Sequence, residues 1–106
     1  MIYRLFLDDE RFPVDGDWVI ARTMEEAVEI VLRRGMPIFI SFDHDLGWIG
    51  DQPRNSGYDF AKWLGGYVLD HTPDLSHFAW YVHSQNPIGA ANINAYMSNL
   101  LNHVRA

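Results

Sequence analysis

Four short apolar runs, separated by polar, glycine- and proline-containing segments, are the feature that most limits how this chain can fold. The runs cover residues 2–7, 18–21, 38–42 and 78–82. Apolar segments of this length, bounded by turn-forming residues, predict buried β-strands. The first two runs are joined by a loop that contains Pro13 and Gly16, whereas longer segments separate the later ones.

Helical patterns follow the second, third and fourth runs. They are expected from Thr23 to about Arg34, from about Tyr58 to Asp70, and from Pro87 onward. Thr23 and Glu26 stand at the spacing of a capping box, which marks the first helix start. Strands that alternate with helices predict an α/β fold: a three-layer, mostly parallel sheet with flanking helices, formed by residues 1–106 as one domain.

Acidic residues close two of the predicted strands: Asp8 and Asp9 follow the first, and Asp43 follows the third. Because the carboxyl ends of parallel strands meet at one edge, these carboxylates are expected to lie together. Clustered carboxylates repel one another, and a hard divalent cation relieves that repulsion. Capping of neighbouring turns is the alternative role of each single acid. Three acids at equivalent strand ends favour a metal site.

The amino-acid composition limits which metal ligands the chain can offer and which partners it is expected to bind. The chain has no cysteine, so oxygen and imidazole are the available metal ligands, and a carboxylate-dominated site favours Mg²⁺ or Mn²⁺. A formal net charge of −6 argues against an extended nucleic-acid-binding face. A small phosphorylated nucleotide or an RNA terminus remains a suitable partner. We expect neither a membrane span nor a leader segment, and a cytoplasmic location.

Motifs along nearly the whole chain resemble the response-regulator receiver domain. The segment from Leu5 to Glu10, Asp43 after an apolar strand, Gly57 before a helix and Ser84 after the fourth strand carry the likeness. The resemblance implies a receiver-like, flavodoxin-like architecture. It also implies that Asp9 and Asp43 bind the metal directly, that Asp8 acts through water, and that the backbone carbonyl of Asp45 completes the ligand set.

Two departures from the receiver pattern change the expected function. A receiver uses a lysine after a fifth strand, but the single lysine here, Lys62, falls within a predicted helix. Four strands are predicted, so we expect a truncated receiver architecture. Histidines instead follow the third and fourth strands, in the segments 43–47 and 83–89. These segments, with 7–11 and Pro13, are similar to the cyclic-phosphate-processing receiver domain.

Hydrolysis of a cyclic phosphate requires a base for water, an acid for the departing oxygen and stabilisation of the phosphoryl charge. His44 and His83 are the candidates for proton transfer, and Asp43 is the third candidate catalytic residue. A histidine that only holds a neighbouring carboxylate is the alternative for each imidazole taken alone. Their shared position at strand ends favours the catalytic role.

Phosphate binding is predicted at the start of the last helix, where Ser84 and Asn86 precede free backbone N–H groups. Asn86 is equally suited to be only the helix cap. Arg11 can hold a phosphate through two hydrogen bonds or remain a solvated loop residue. The long segment from Gly47 to Ser56 is a candidate lid, and Trp48 within it could stack on a base.

The leading hypothesis is therefore a metal-dependent phosphoesterase acting on cyclic phosphates at RNA ends or on related nucleotides. The rival is a phosphate- or nucleotide-binding regulatory module that retains the receiver pocket without catalysis. An interaction domain with vestigial acids is a third reading.

Overall fold

The computed structural model describes residues 2–105. The strands are β1 (Arg4–Leu7), β2 (Val19–Ala21), β3 (Phe39–Phe42), β4 (Trp48–Ile49), β5 (Gln52–Pro53) and β6 (Ala79–Val82). The helices are α1 (Met24–Arg34), α2 (Gly57–His71) and α3 (Pro87–Arg105). Four strands form one sheet in the order β2-β1-β3-β6, and every neighbouring pair is parallel. The predicted receiver-like α/β class with a parallel sheet is confirmed.

Local signals explain where the helices begin. Thr23 caps α1 by accepting from the backbone N–H of Glu26 at 3.1 Å. A capping box would also have the Glu26 carboxylate accept from the N–H of Thr23. The carboxylate accepts instead from the N–H of Arg22, one residue earlier. A full capping box, not predicted from the sequence, starts α2 and pairs Ser56 with Asp59. None of the helices within residues 2–105 is long and apolar enough to span a membrane.

The main core lies between the sheet and the helices, with α2 packed against both α1 and α3. Alternate strand residues point into it, including Leu5, Leu7, Ile40 and Phe42, which are fully buried. Because α2 packs against both α1 and α3, the helices share one face of the sheet, as the usual right-handed crossover predicts for connections that run in the same direction across a sheet. The order of strands along the chain therefore decides which face of the sheet is helical.

The other face of the sheet is covered by the irregular connection between β1 and β2. Trp18 from this connection packs edge-on against Phe6 and Phe39, at centroid distances of 5.7 and 5.8 Å. Arg4, an unexpected charge within the first strand, places its guanidinium 4.4 Å from the Trp18 ring centroid. The third layer of the fold is thus a loop, because residues 8–18 contain no helix.

The predicted lid between Gly47 and Ser56 is a small antiparallel hairpin rather than an open loop. Its strands β4 and β5 pair Trp48 with Pro53 and Ile49 with Gln52. A further backbone hydrogen bond joins the N–H of Arg54 to the carbonyl of Gly47 at 2.9 Å. The segment therefore has an ordered backbone that presents Trp48 at a defined place.

Gly57 starts α2 against the backbone of the third strand's acidic end. A Cβ at Gly57 would lie 1.8 Å from the carbonyl oxygen of Asp43, and backbone atoms have little freedom to move away. We expect Gly57→Ala to lower the free energy of unfolding by about 1–3 kcal/mol, measured by urea denaturation. Gly66→Ala in the same helix is the control, since a Cβ there meets nothing within 4 Å and should stabilise by about 0.4–1 kcal/mol. Equal effects at both positions would contradict this packing.

Candidate functional site

The carboxyl ends of β1 and β3 bring Asp8 and Asp43 together. Strand pairing continues into both residues, since Asp8 N–H donates to the carbonyl of Ala21 at 3.1 Å and Asp43 N–H donates to that of Leu7 at 2.9 Å. Both acids are buried; Asp8 is 0% and Asp43 is 6% exposed. Their positions are therefore fixed by the sheet and not by a flexible loop.

Asp8 accepts four hydrogen bonds. Its Oδ1 accepts from the backbone N–H groups of Glu10 and Arg11 at 2.9 and 2.8 Å. Its Oδ2 accepts from Nε of Arg11 at 2.8 Å and from Nε2 of His83 at 2.9 Å. Burial by itself raises the pKa of Asp8, but the backbone hydrogen bonds, the His83 hydrogen bond and the Arg11 charge outweigh it and hold the pKa below its usual value. Asp8 is thus an ionised acceptor at neutral pH.

His83 is held at both ring nitrogens. Because an ionised carboxylate can only accept, Nε2 of His83 donates to Asp8, while Nδ1 lies 2.7 Å from the Ser41 hydroxyl. The ring also stacks on Phe6 at a centroid distance of 4.7 Å. Ser41 was not singled out from the sequence, although its alternation with Asp43 along β3 places both on the same face of the strand. The predicted proton-transfer residue His83 therefore has no ring nitrogen left for a substrate unless one of these bonds breaks.

Arg11 lies between the two buried acids. Its Nε donates to Asp8 Oδ2 at 2.8 Å, and its Nη2 donates to Asp43 Oδ2 at 3.3 Å. The Arg11 side chain is 43% exposed, so its outer edge reaches the solvent. The guanidinium, with the His83 N–H, relieves the carboxylate repulsion from which the sequence predicted a metal.

The donor atoms for a metal nevertheless converge. One carboxylate oxygen each from Asp8 and Asp43 and one ring nitrogen of His83 lie within 4.8 Å of one another. Two carboxylates and an imidazole suit Mn²⁺, and with additional water ligands Mg²⁺. The two acids would therefore hold a divalent cation if Arg11 left them, and His83 would be a third ligand only if one of its ring nitrogens gave up its hydrogen bond. Asp9, predicted as a direct ligand, lies outside this cluster on the exposed side of the edge.

His44 has a different environment from that of His83. Its Nδ1 lies 2.9 Å from Oδ1 of Asp45, and its side chain is 20% exposed. The ring rests on Gly89 of α3, where a Cβ would come within 2.4 Å of the ring Cγ. Among residues 2–105, no hydrogen bond is made by Nε2 of His44, which leaves that nitrogen free to exchange a proton.

The start of α3 supplies polar groups at the same edge. Asn86 acts as its cap, since its side-chain oxygen accepts from the N–H of Gly89 at 2.9 Å. Its side-chain nitrogen donates to Asp45 at 3.4 Å, and its N–H donates to the Ser84 hydroxyl at 3.1 Å. The capping reading of Asn86 therefore applies, and only part of the predicted free N–H set remains for a ligand.

A pocket of about 550 Å³ opens over this edge. It is lined by Asp9, Glu10, Arg11, Asp43, Asp45, Gly47, Trp48, Ser84, Gln85 and Asn86. Trp48 is 66% exposed and forms the apolar part of the rim. Neither His44 nor His83 is among the residues that line it. A pocket of similar size between the ends of α2 and α3 lies at the opposite end of the sheet and contains none of these residues.

Arg22 supports the segment that carries Arg11, a role that no sequence pattern predicted. Its Nη1 donates to the backbone carbonyls of Asp8 and Arg11 at 3.1 and 2.6 Å. The Arg11 backbone is thus held at its N–H by Asp8 and at its carbonyl by Arg22, whereas the guanidinium end faces the pocket.

Comparison with known proteins agrees with this geometry. The sequence pattern of the cyclic-phosphate processing receiver domain matches residues 3–99. No curated protein and no solved structure matches the chain. A match over nearly all of the sequence, together with the parallel sheet and the acidic strand ends, identifies the family. The chain belongs to the cyclic-phosphate processing receiver domains.

Proposed function

We propose that this domain hydrolyses cyclic phosphate esters of nucleotides, including those at RNA ends, with a divalent metal held by Asp8 and Asp43. One observation carries the proposal: a single pocket combines the buried acid Asp43, an arginine that also contacts the neighbouring Asp8, polar groups at a helix start and an exposed tryptophan. These are the groups that a nucleotide phosphate and its base require. Asp9 and Asp45, which also line the pocket, remain proposed ligands from the family resemblance.

The chain's own residues account for the remaining steps. Water adds to phosphorus, one P–O bond to the ribose breaks, and the released ribose oxygen takes up a proton. His44 carries the proton through its free Nε2, while Asp45 orients the ring through Nδ1. Arg11, Ser84 and Asn86 bind the phosphate. The metal, when bound, adds electrostatic stabilisation of the phosphoryl charge.

His83 acts through Asp8 in this proposal. Its Nε2–H fixes the carboxylate, and its Nδ1 is held by Ser41, so the ring orients a metal-binding acid without touching substrate. Trp48 gives a nucleoside base an apolar surface beside the phosphate groups. The site therefore favours a small nucleotide or a chain end over an extended nucleic acid.

The proposal is tested by incubating the protein with Mn²⁺ and a nucleoside 2′,3′-cyclic phosphate and following product by ³¹P NMR. We expect release of a nucleoside monophosphate and its loss in Asp43→Asn. Asp51→Asn is the control, because Asp51 is an exposed acid in the hairpin outside the pocket. Absence of turnover, combined with nucleotide binding that depends on Ser84 and Asn86, would instead support the regulatory module. The neutralisation of the acids by Arg11 already makes that rival chemically reasonable.

A further inference from the structure

Arg11 carries one positive charge, which is paired with the two acids and which a phosphate in the pocket would also attract. Its Nε and Nη2 both point at carboxylates, one on Asp8 and one on Asp43. The same guanidinium lines the pocket where a phosphate would bind. Its Nη1 and the second hydrogen of Nη2 are not used by the acids, but a guanidinium whose charge is already paired with two carboxylates attracts a phosphate less strongly than an unpaired one.

The motion needed to change partner is confined to the side chain. The Arg11 N–H is held by Asp8 Oδ1 at 2.8 Å, and its carbonyl accepts from Arg22 at 2.6 Å. The backbone can therefore stay in place while the side chain, which is 43% exposed, rotates. No strand or helix has to move.

We propose that Arg11 is a tethered cation that competes with the metal for Asp8 and Asp43 and that turns to the phosphate when the metal binds. Metal and phosphate then strengthen each other's binding, because each favours the arrangement in which Arg11 has left the acids. The effect on the two affinities is equal by linkage. This inference rests on the metal and phosphate site of the proposed function, and it requires no turnover.

The test measures Mn²⁺ binding from the electron paramagnetic resonance signal of the free ion, with and without cytidine 3′-monophosphate. For the unaltered protein we expect the nucleotide to tighten Mn²⁺ binding by about tenfold, within the usual range of coupling between sites. Arg11→Gln should bind Mn²⁺ more tightly than the unaltered protein when no nucleotide is present. In that variant the nucleotide should no longer change the Mn²⁺ affinity.

Matched variants make the result specific. Arg33→Gln removes the same charge from an exposed pair with Glu29 on α1 and should behave as the unaltered protein. Arg11→Lys keeps the charge without the fork, and its coupling should be clearly reduced; it replaces Arg11→Gln if circular dichroism shows that variant to be unfolded.

Three results overturn the inference: no Mn²⁺ binding by the unaltered protein, weaker Mn²⁺ binding in Arg11→Gln, or undiminished coupling in the Arg11 variants. Hydrolysis of cyclic phosphate without coupling leaves the proposed function standing and removes only this role of Arg11. Coupling without hydrolysis would support this role of Arg11 and remove the proposed hydrolysis. The site would then be a binding module in which Arg11 links the binding of metal and phosphate.

Discussion

His44→Ala is expected to slow the release of monophosphate by ~10²–10⁴-fold, the usual contribution of a positioned proton-transfer group. Mn²⁺ affinity should stay the same, because His44 is not part of the cluster formed by Asp8, Asp43 and His83. The rate is measured by single-turnover hydrolysis at saturating metal. The physical reason is the free Nε2, with Nδ1 oriented by Asp45.

The matched comparison is His83→Ala. This change removes the N–H donor that fixes the Asp8 carboxylate for the metal, so both Mn²⁺ affinity and turnover should fall. His77→Ala, at an exposed histidine outside the pocket, should alter neither. The assignment is wrong if His83→Ala keeps full metal affinity while losing turnover and His44→Ala leaves the rate unchanged. The two histidines would then have exchanged roles.

Asp8→Ala is expected to lower the free energy of unfolding by about 3 kcal/mol in the absence of metal, measured by urea denaturation at pH 7. The carboxylate is fully buried and accepts four hydrogen bonds, so its removal leaves several donors without an acceptor. This expected loss of unfolding free energy is at the low end of the range for removing one partner of a buried ion pair, because the Arg11 side chain is 43% exposed and water can hydrate it. Asp9→Ala, next to it but exposed, should change stability little.

The Asp8 carboxylate is expected to make the protein less stable as the pH falls. The pKa of Asp8 is lower in the folded than in the unfolded protein, where it is near 3.9. Its contribution is therefore complete above the unfolded pKa and is lost as the pH falls through the folded pKa. Asp8→Asn should remove this part of the acid destabilisation. An Asp8→Ala protein as stable as the unaltered one would show that repulsion between the acids cancels these hydrogen bonds.

Most of the fold could be predicted from patterns within short segments of the sequence. Apolar runs of strand length, helical periodicity and residues such as Thr23 act through neighbours a few positions away, so the sequence alone predicted the parallel α/β sheet and the family. The same reasoning placed Asp8 and Asp43 at one edge, because equivalent ends of parallel strands must meet. It failed for the hairpin at β4 and β5, whose pairing residues include a proline and a glutamine that carry no strong strand signal.

The partners of the site residues were decided only by the tertiary structure. Arg11 and Asp43 are 32 positions apart, and Ser41 and His83 are 42 apart. Such pairs depend on strand register and on the direction of each side chain, which no local pattern specifies. The sequence was therefore sufficient to predict that the charged groups lie at one edge of the sheet, but not which of them contact one another. That Arg11 contacts both acids, and that within residues 2–105 His44 keeps a ring nitrogen without a hydrogen bond while His83 does not, followed from how those distant segments pack.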